Sequence, residues 1–208
     1  MVAVEQNRRR RKPAAVRRQD IINAAMEIIR HEGIEKLTTR SLSRAVGIAQ
    51  PTLFLHFGNK NQVLIALVEA IQQRLEEQLG EQHLDRLPAL ERIEALVRFH
   101  LGFMEQQPGM PRLLFSEELQ SGDPALRERM NRMITFFVGV LAEQIGAAQQ
   151  AGQLRTELDP QRGARLLVAA IQGLAFRWVL SGHNFSLRAE ADLVLSTFLG
   201  GWRSDGGR

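Results

Sequence analysis

Gly33-Ile-Glu-Lys-Leu-Thr-Thr-Arg-Ser-Leu-Ser-Arg-Ala-Val-Gly47-Ile-Ala-Gln-Pro-Thr-Leu-Phe-Leu-His-Phe-Gly-Asn-Lys60 is the stretch that decides how this chain folds. It predicts a helix, a tight turn centred on Gly47 and a second, shorter helix. Thr38 or Thr39 supplies the hydroxyl of an N-cap, accepting from a free amide of the first turn. Leu42, Ala45 and Val46 then face inward, with Arg40 and Arg44 outward. Gly47 takes the positive φ of the turn at no steric cost. Ile48 plugs the core, and Pro51 has its φ preset for the first turn of the next helix. That helix is expected over 50–57, anchored by Leu53 and Phe57 four residues apart, leaving Gln50, Thr52, Leu55 and His56 to face away. Such an arrangement sets one helix into a DNA major groove.

The residues on the outward face suit that groove. Gln pairs with adenine, Thr with several base edges, and a Leu side chain meets a thymine methyl. The plainer reading leaves Gln50 and Thr52 as solvated residues at a helix start; the helix-turn-helix and the basic arm around them favour base contact. Asn59-Lys60-Asn61-Gln62 reads as a capping box opening the next helix. Its free amides and the Lys60 ammonium make a site for a backbone phosphate. Upstream, Ile21, Ala25, Ile28 and Ile22, Met26, Ile29 recur at three- and four-residue spacings, the stripe of a helix packed on a core. Gly33 follows, suited to the left-handed position that ends a helix.

Charge is unevenly distributed. Residues 1–60 carry a net +7 and the remainder a net −3, giving the overall +4. A basic head on a mildly acidic body suits a modular DNA binder. The run Arg8-Arg9-Arg10-Arg11-Lys12-Pro13, with Arg17 and Arg18 behind it, is too polar to pack and is expected to be disordered over 1–17. It either enters a minor groove on binding or remains a solvated tail that adds non-specific affinity. Both readings predict binding that weakens steeply with salt.

These motifs resemble the DNA-binding signature of the tetracycline-repressor family of bacterial transcription regulators. The resemblance covers residues 18 to 68 closely and the remainder only in length and helical character. The family pattern of Gly, Thr, an Ile-Ala pair, Ala-Gly-Val, then Tyr-x-x-Phe and Lys appears here as Gly33, Thr38, Leu42-Ser43, Val46-Gly47-Ile48, Phe54-x-His56-Phe57 and Lys60. Two positions depart. The usual capping Ser of the recognition helix is Ala49, a loss of about 1 kcal/mol of capping. The usual Tyr, whose hydroxyl contacts a phosphate, is Phe54, and the chain holds no Tyr. The resemblance implies DNA contacts for Thr52, His56 and Lys60, and less directly for Phe54 and Gln50. With Arg40, Pro51 and Leu55 they form the candidate DNA-contact set.

Beyond Lys60 the chain shows only helical periodicity, so the expected class is all-α, with about nine helices. Helices are expected over about 60–79, 89–106, 111–119, 124–150, 160–180 and 187–202. Asp123-Pro124 and Asp159-Pro160 act as start signals, with Asp as cap and Pro in the first turn. The domain expectation is a head over 18–62, a body over 63–203 and a disordered tail over 204–208. The chain has no Cys, which excludes disulfides, thiol catalysis and Cys-based zinc sites. The N-terminus lacks the apolar run of a signal peptide. The apolar run over 166–180 is short for a membrane span and carries Gln172 and Arg177. A cytoplasmic protein without membrane contact, cofactor or metal is expected; His83, His100 and His183 have no ligand spacing.

Two expectations concern the body. Leu166, Ala170 and Gly173, then Leu193, Val194, Phe198 and Trp202, give the last two helices apolar faces. They either pack within one subunit or meet their copies in a four-helix bundle. The family resemblance implies the homodimer, and hence a palindromic operator. Phe99, Phe103, Met104, Met110, Leu114, Phe115, Met130, Met133, Phe137 and Phe176 offer the aromatic and Met content of an apolar effector cavity, though such residues also build plain cores. His100, Glu117, Glu118 and Arg177 are candidate polar contacts, with His100 and Arg177 set in largely apolar helices.

The combined expectation is a homodimeric regulator, a repressor released from double-stranded DNA when a small apolar or amphipathic ligand moves the helix that starts at Lys60. A rival reading replaces the small molecule with a protein partner. Leu101-Gly102-Phe103 and Pro108-Gly109-Met110 loosely resemble the body of the nucleoid-occlusion factors of this family, which bind the cell-division protein FtsZ. An enzyme is disfavoured, since no Gly-rich phosphate loop or metal-spaced His or carboxylate cluster occurs.

Overall fold

Helix α1 (Ala14–Glu32) opens the described part of the chain, and its inward stripe of Ile21, Ile22, Ala25, Ile28 and Ile29 is fully buried. The computed structural model describes residues 13–120 and 122–204; among them there are ten helices and no strand. The basic run over 8–12 and the tail after Ser204 therefore lie outside the described residues. Helix starts within the expected arm, because Ala14, Ala15 and Val16 extend α1 upstream of the apolar stripe. Ser204 is tied down, its hydroxyl donating to the Gly152 carbonyl at 2.7 Å.

The head continues with α2 (Thr39–Val46) and α3 (Gln50–Phe54). Thr38 is the cap, in a reciprocal pair with Ser41 in which each backbone amide donates to the other's hydroxyl. Gly47 sits at φ 69°, ψ 40°, the left-handed conformation its turn demands. Gly33 also ends α1 at a positive φ, 95°, as expected of a glycine there, but its ψ of 164° puts it in the other glycine-only region and not in the αL conformation of a helix cap. Leu42, Leu53 and Phe57 close the head core. Ala45 is exposed, contrary to expectation, because α2 is only two turns long and Leu42 with half-buried Val46 suffices to anchor it. The recognition helix stops at Phe54, and residues up to Phe57 form a turn.

α4 (Lys60–Gly80) leads out of the head into the body. Asn59 caps it by accepting from the Gln62 amide at 2.9 Å, while Gln62 reaches back to the amide of Gly58 at 2.7 Å. α5 (Ala89–Gln106), α6 (Gly109–Leu114), α7 (Glu117–Gln120), α8 (Pro124–Gln150), α9 (Pro160–Leu180) and α10 (Ala191–Trp202) complete the body. The helix expected over 111–119 is two pieces, since the chain turns at Phe115 and Ser116; this raises the count from nine to ten. Asp123 and Asp159 cap α8 and α9 as their Asp-Pro pairs predict. α8 is the central rod, packed on α4, α5 and α9.

Head and body are joined through α1 as well as α4. Gly109 lies so close to α1 that a Cβ there would meet Ile29 Cγ2 at 3.3 Å. Arg112 of α6 donates to the Ile29 and Arg30 carbonyls at 3.2 and 3.1 Å, satisfying the C-terminal end of α1 with a cation. α9 is, by length and composition alone, apolar enough to cross a membrane, a property that core helices of soluble proteins share; the apolar run within it remains short and still carries Gln172 and Arg177. Only 39% of its apolar window is buried within the subunit, leaving a long outer face.

Candidate nucleic-acid interface and ligand cavity

The outer surface of the head carries most of the candidate DNA-contact set. Arg40, Gln50, Pro51 and Phe54 are exposed, and Leu55 is 76% exposed, far more than an apolar side chain at a helix end needs to be. Thr52 and His56 are half-buried. Ala49 stands at the N-cap of α3 with φ −71° and ψ 148° and offers no side-chain cap. The far end of the reading segment is pinned from α1. Arg18 donates to the His56 carbonyl, and its guanidinium lies 4.1 Å from the centre of the Phe57 ring.

Lys60 departs from expectation. Its ammonium is held inward, 2.9 Å from Glu118 Oε1 on α7 and 3.5 Å from the Ile34 carbonyl. The reason is geometric: α7 sets Glu118 beside the first turn of α4, and a partly buried carboxylate there outcompetes solvent for the cation. Burial raises the Glu118 pKa, but the hydrogen bond and charge of Lys60 hold it below the usual carboxylate range.

Inside the body, five helices enclose an apolar cavity. Leu75 of α4, His100, Phe103 and Met104 of α5, Met110 and Leu114 of α6, and Met130, Met133, Ile134 and Phe137 of α8 line it; Val168 and Gln172 of α9 close it. Its free volume is about 20 Å³, room for about one water molecule. His100 is buried and stacks on Phe137, ring centres 4.1 Å apart and planes 18° from parallel. Neither of its ring nitrogens has a hydrogen-bond partner. Desolvation lowers its pKa from 6.5 to about 4.

Of the residues read as an effector pocket, four lie elsewhere. Phe99 is turned toward a surface groove with Arg98 and Arg188, although its ring stays 5.9 Å from Phe103. Phe176 follows Val168 and Gln172 along the stripe of α9, but one turn (about 5.4 Å) farther, past the end of the cavity. There it meets Phe115, ring centres 4.6 Å apart, in a separate surface groove beside Pro111 and Arg112. Arg177 points to the exposed side of α9. Leu75, Ile134, Val168 and Gln172 were not legible as lining: three are ordinary core types, and Gln172 signalled only as a lone polar residue in an apolar helix.

On the outer face, Leu166 and Leu193 are 60% and 63% exposed; Gly173 is exposed, with Ala170 and Phe198 half-buried. Val194 and Trp202 belong to the subunit core instead, at 7% and 6% exposure, with Trp202 packed edge-on against Phe198 at 5.3 Å. A 12-residue helix cannot turn all of its apolar residues outward, and α10 gives these two to its own body.

Residues 21–67 match the bacterial regulatory proteins of the tetR family, and residues 89–191 match the tetracyclin repressor-like C-terminal domain. The chain belongs to the tetR family. This tetR-family chain is 32% identical to the nucleoid occlusion factor SlmA of Aliivibrio fischeri (strain MJ11), over 81% of its own length and 87% of that protein. It is 22% identical to the fatty acid metabolism regulator protein of Bacillus subtilis (strain 168), over 87% and 93% of the two chains. The fold is shared with the fatty acid degradation regulator FadR from Bacillus halodurans, at a TM-score of 0.79 and 23% identity, covering 92% of this chain and 97% of that one. A FadR from Bacillus subtilis, solved in complex with stearoyl-CoA, aligns at a TM-score of 0.77 and 22% identity, covering 88% and 98%.

Proposed function

We propose that this chain is a homodimeric cytoplasmic repressor that reads a palindromic operator with α3 and releases it when a ligand enters the apolar cavity. One observation carries this reading: α4 contributes Leu75 to the cavity wall and begins at Lys60, beside the recognition helix. A ligand larger than the space its Met side chains can free would push α4 outward, and the head with it. Release follows only if the ligand binds the displaced arrangement better, a difference of about 1–3 kcal/mol in typical cases. The exposed face of Leu166, Gly173 and Leu193 fits the subunit contact that sets the spacing of the two heads. The stearoyl-CoA held by the FadR neighbour makes a long acyl compound the first ligand to try.

A second reading is a nucleoid-associated factor governed by a protein partner. Its support is the 32% identity to SlmA together with the small free volume of the cavity. Mapping the protein on its own chromosome tests both. One or a few palindromic sites beside adjacent genes, with release of those fragments by stearoyl-CoA, support the sensor. Dozens of scattered sites that ignore the ligand overturn it in favour of the second reading.

A further inference from the structure

His100 is unusual for a core residue. Both ring nitrogens are buried without a partner, and each unmet polar group forfeits its hydrogen bonds to water with nothing in return. A Phe in its place would keep the stack on Phe137 and avoid that cost, so packing does not account for an imidazole here. The ring faces a cavity whose wall contains one other polar side chain, Gln172, and no Lys or Arg.

We propose that His100 is the polar anchor of this cavity and that the effector offers it a neutral hydrogen-bonding group, a hydroxyl or an ester, thioester or ketone oxygen, on an apolar body. This rests on the ligand-sensing reading above and narrows its chemistry. A neutral imidazole has one N–H donor and one acceptor nitrogen, and a ligand hydroxyl or carbonyl satisfies one of them. Burial keeps the ring neutral, so it offers no positive charge to an acid. A carboxylate would enter a wall without a cation and lose its hydration with no charge to replace it. Any charged part of an amphipathic effector therefore remains outside. Room comes from Met104, Met110, Met130 and Met133, unbranched and pliable side chains that can move aside for a chain.

The test is calorimetric titration of the full-length protein with three probes of one chain length: 1-decanol, methyl decanoate and decanoate. Near neutral pH the alcohol and the ester should bind the native protein at least ~10-fold more tightly than the carboxylate. His100→Phe should melt no lower than the native protein, yet lose most of that preference. His100→Asn, which keeps a donor and an acceptor, should retain part of it. Unchanged selectivity in His100→Phe overturns the anchor while leaving the sensor intact. Tighter binding of decanoate, with uptake of a proton, overturns the neutral-group assignment. Failure of all three probes to bind the native protein sinks the anchor, whereas the sensor reading stands or falls separately on operator release by stearoyl-CoA.

Discussion

Lys60 and Glu118, 58 positions apart in sequence, form a 2.9 Å ion pair that ties the first turn of α4 to α7. The pair spends on the body a cation that could otherwise meet a DNA phosphate. Glu118→Gln should free Lys60, tightening DNA binding several-fold and steepening its salt dependence by about one phosphate contact. Adding Lys60→Ala should cancel the gain. Fluorescence anisotropy at several salt concentrations measures both, and a gain that survives in the double variant would show that Lys60 is not its source.

Thr52 and Arg40 should separate reading from holding. Thr52→Ala is expected to relax preference at particular base pairs, by about 1–3 kcal/mol there. Arg40→Ala should weaken all sequences alike. Binding to a randomised DNA library, sequenced for each variant, decides; equal sequence-blind losses would remove Thr52 from base reading.

His100 gives stability a pH window of known sign. The unfolded chain takes up this proton near pH 6.5 and the folded one only near pH 4. Between those values the unfolded state binds more protons, so acid favours unfolding. The contribution is complete above pH 6.5 and is lost as pH falls toward 4, by up to about 3 kcal/mol. His100→Phe should flatten that part of the curve. Chemical denaturation across the window, compared for the two proteins, would show parallel curves if the shift is absent.

The two apolar classes on α10 should respond differently to charge. Leu193→Glu should give a folded subunit that sediments as a monomer, because the side chain faces outward. Val194→Glu should unfold the protein, since it buries a carboxylate with no partner. A dimeric Leu193→Glu protein would move the subunit contact elsewhere.

Most of the head was legible because its signals are local, though Ala45, the end of α3 and the direction of Lys60 were not. A Thr cap, a left-handed Gly and a Pro in the first turn act within a few positions of where they stand. The body was legible only as helices. Met104 and Met133 can be proposed as cavity lining because they are large and apolar, but Phe115 and Phe176 are equally so and lie in a surface groove. Which side of a helix meets a cavity depends on how far along its axis the neighbours cross, and no spacing rule encodes that. The Lys60–Glu118 pair was hidden for the same reason: each residue is ordinary until α7 folds against α4.

Leu75 and Lys60 lie fifteen positions apart on one uninterrupted helix, about 22 Å of rigid rod. A genetic screen for insensitive regulators should therefore yield an uneven map. Alleles blind to the inducer ought to gather where the rod touches the chamber, and constitutive alleles where it touches the head. The stretch between is expected to stay almost silent to conservative change, since any substitution that keeps it straight, helical and apolar on the buried face of Val63, Leu67 and Ile71 carries the message equally well.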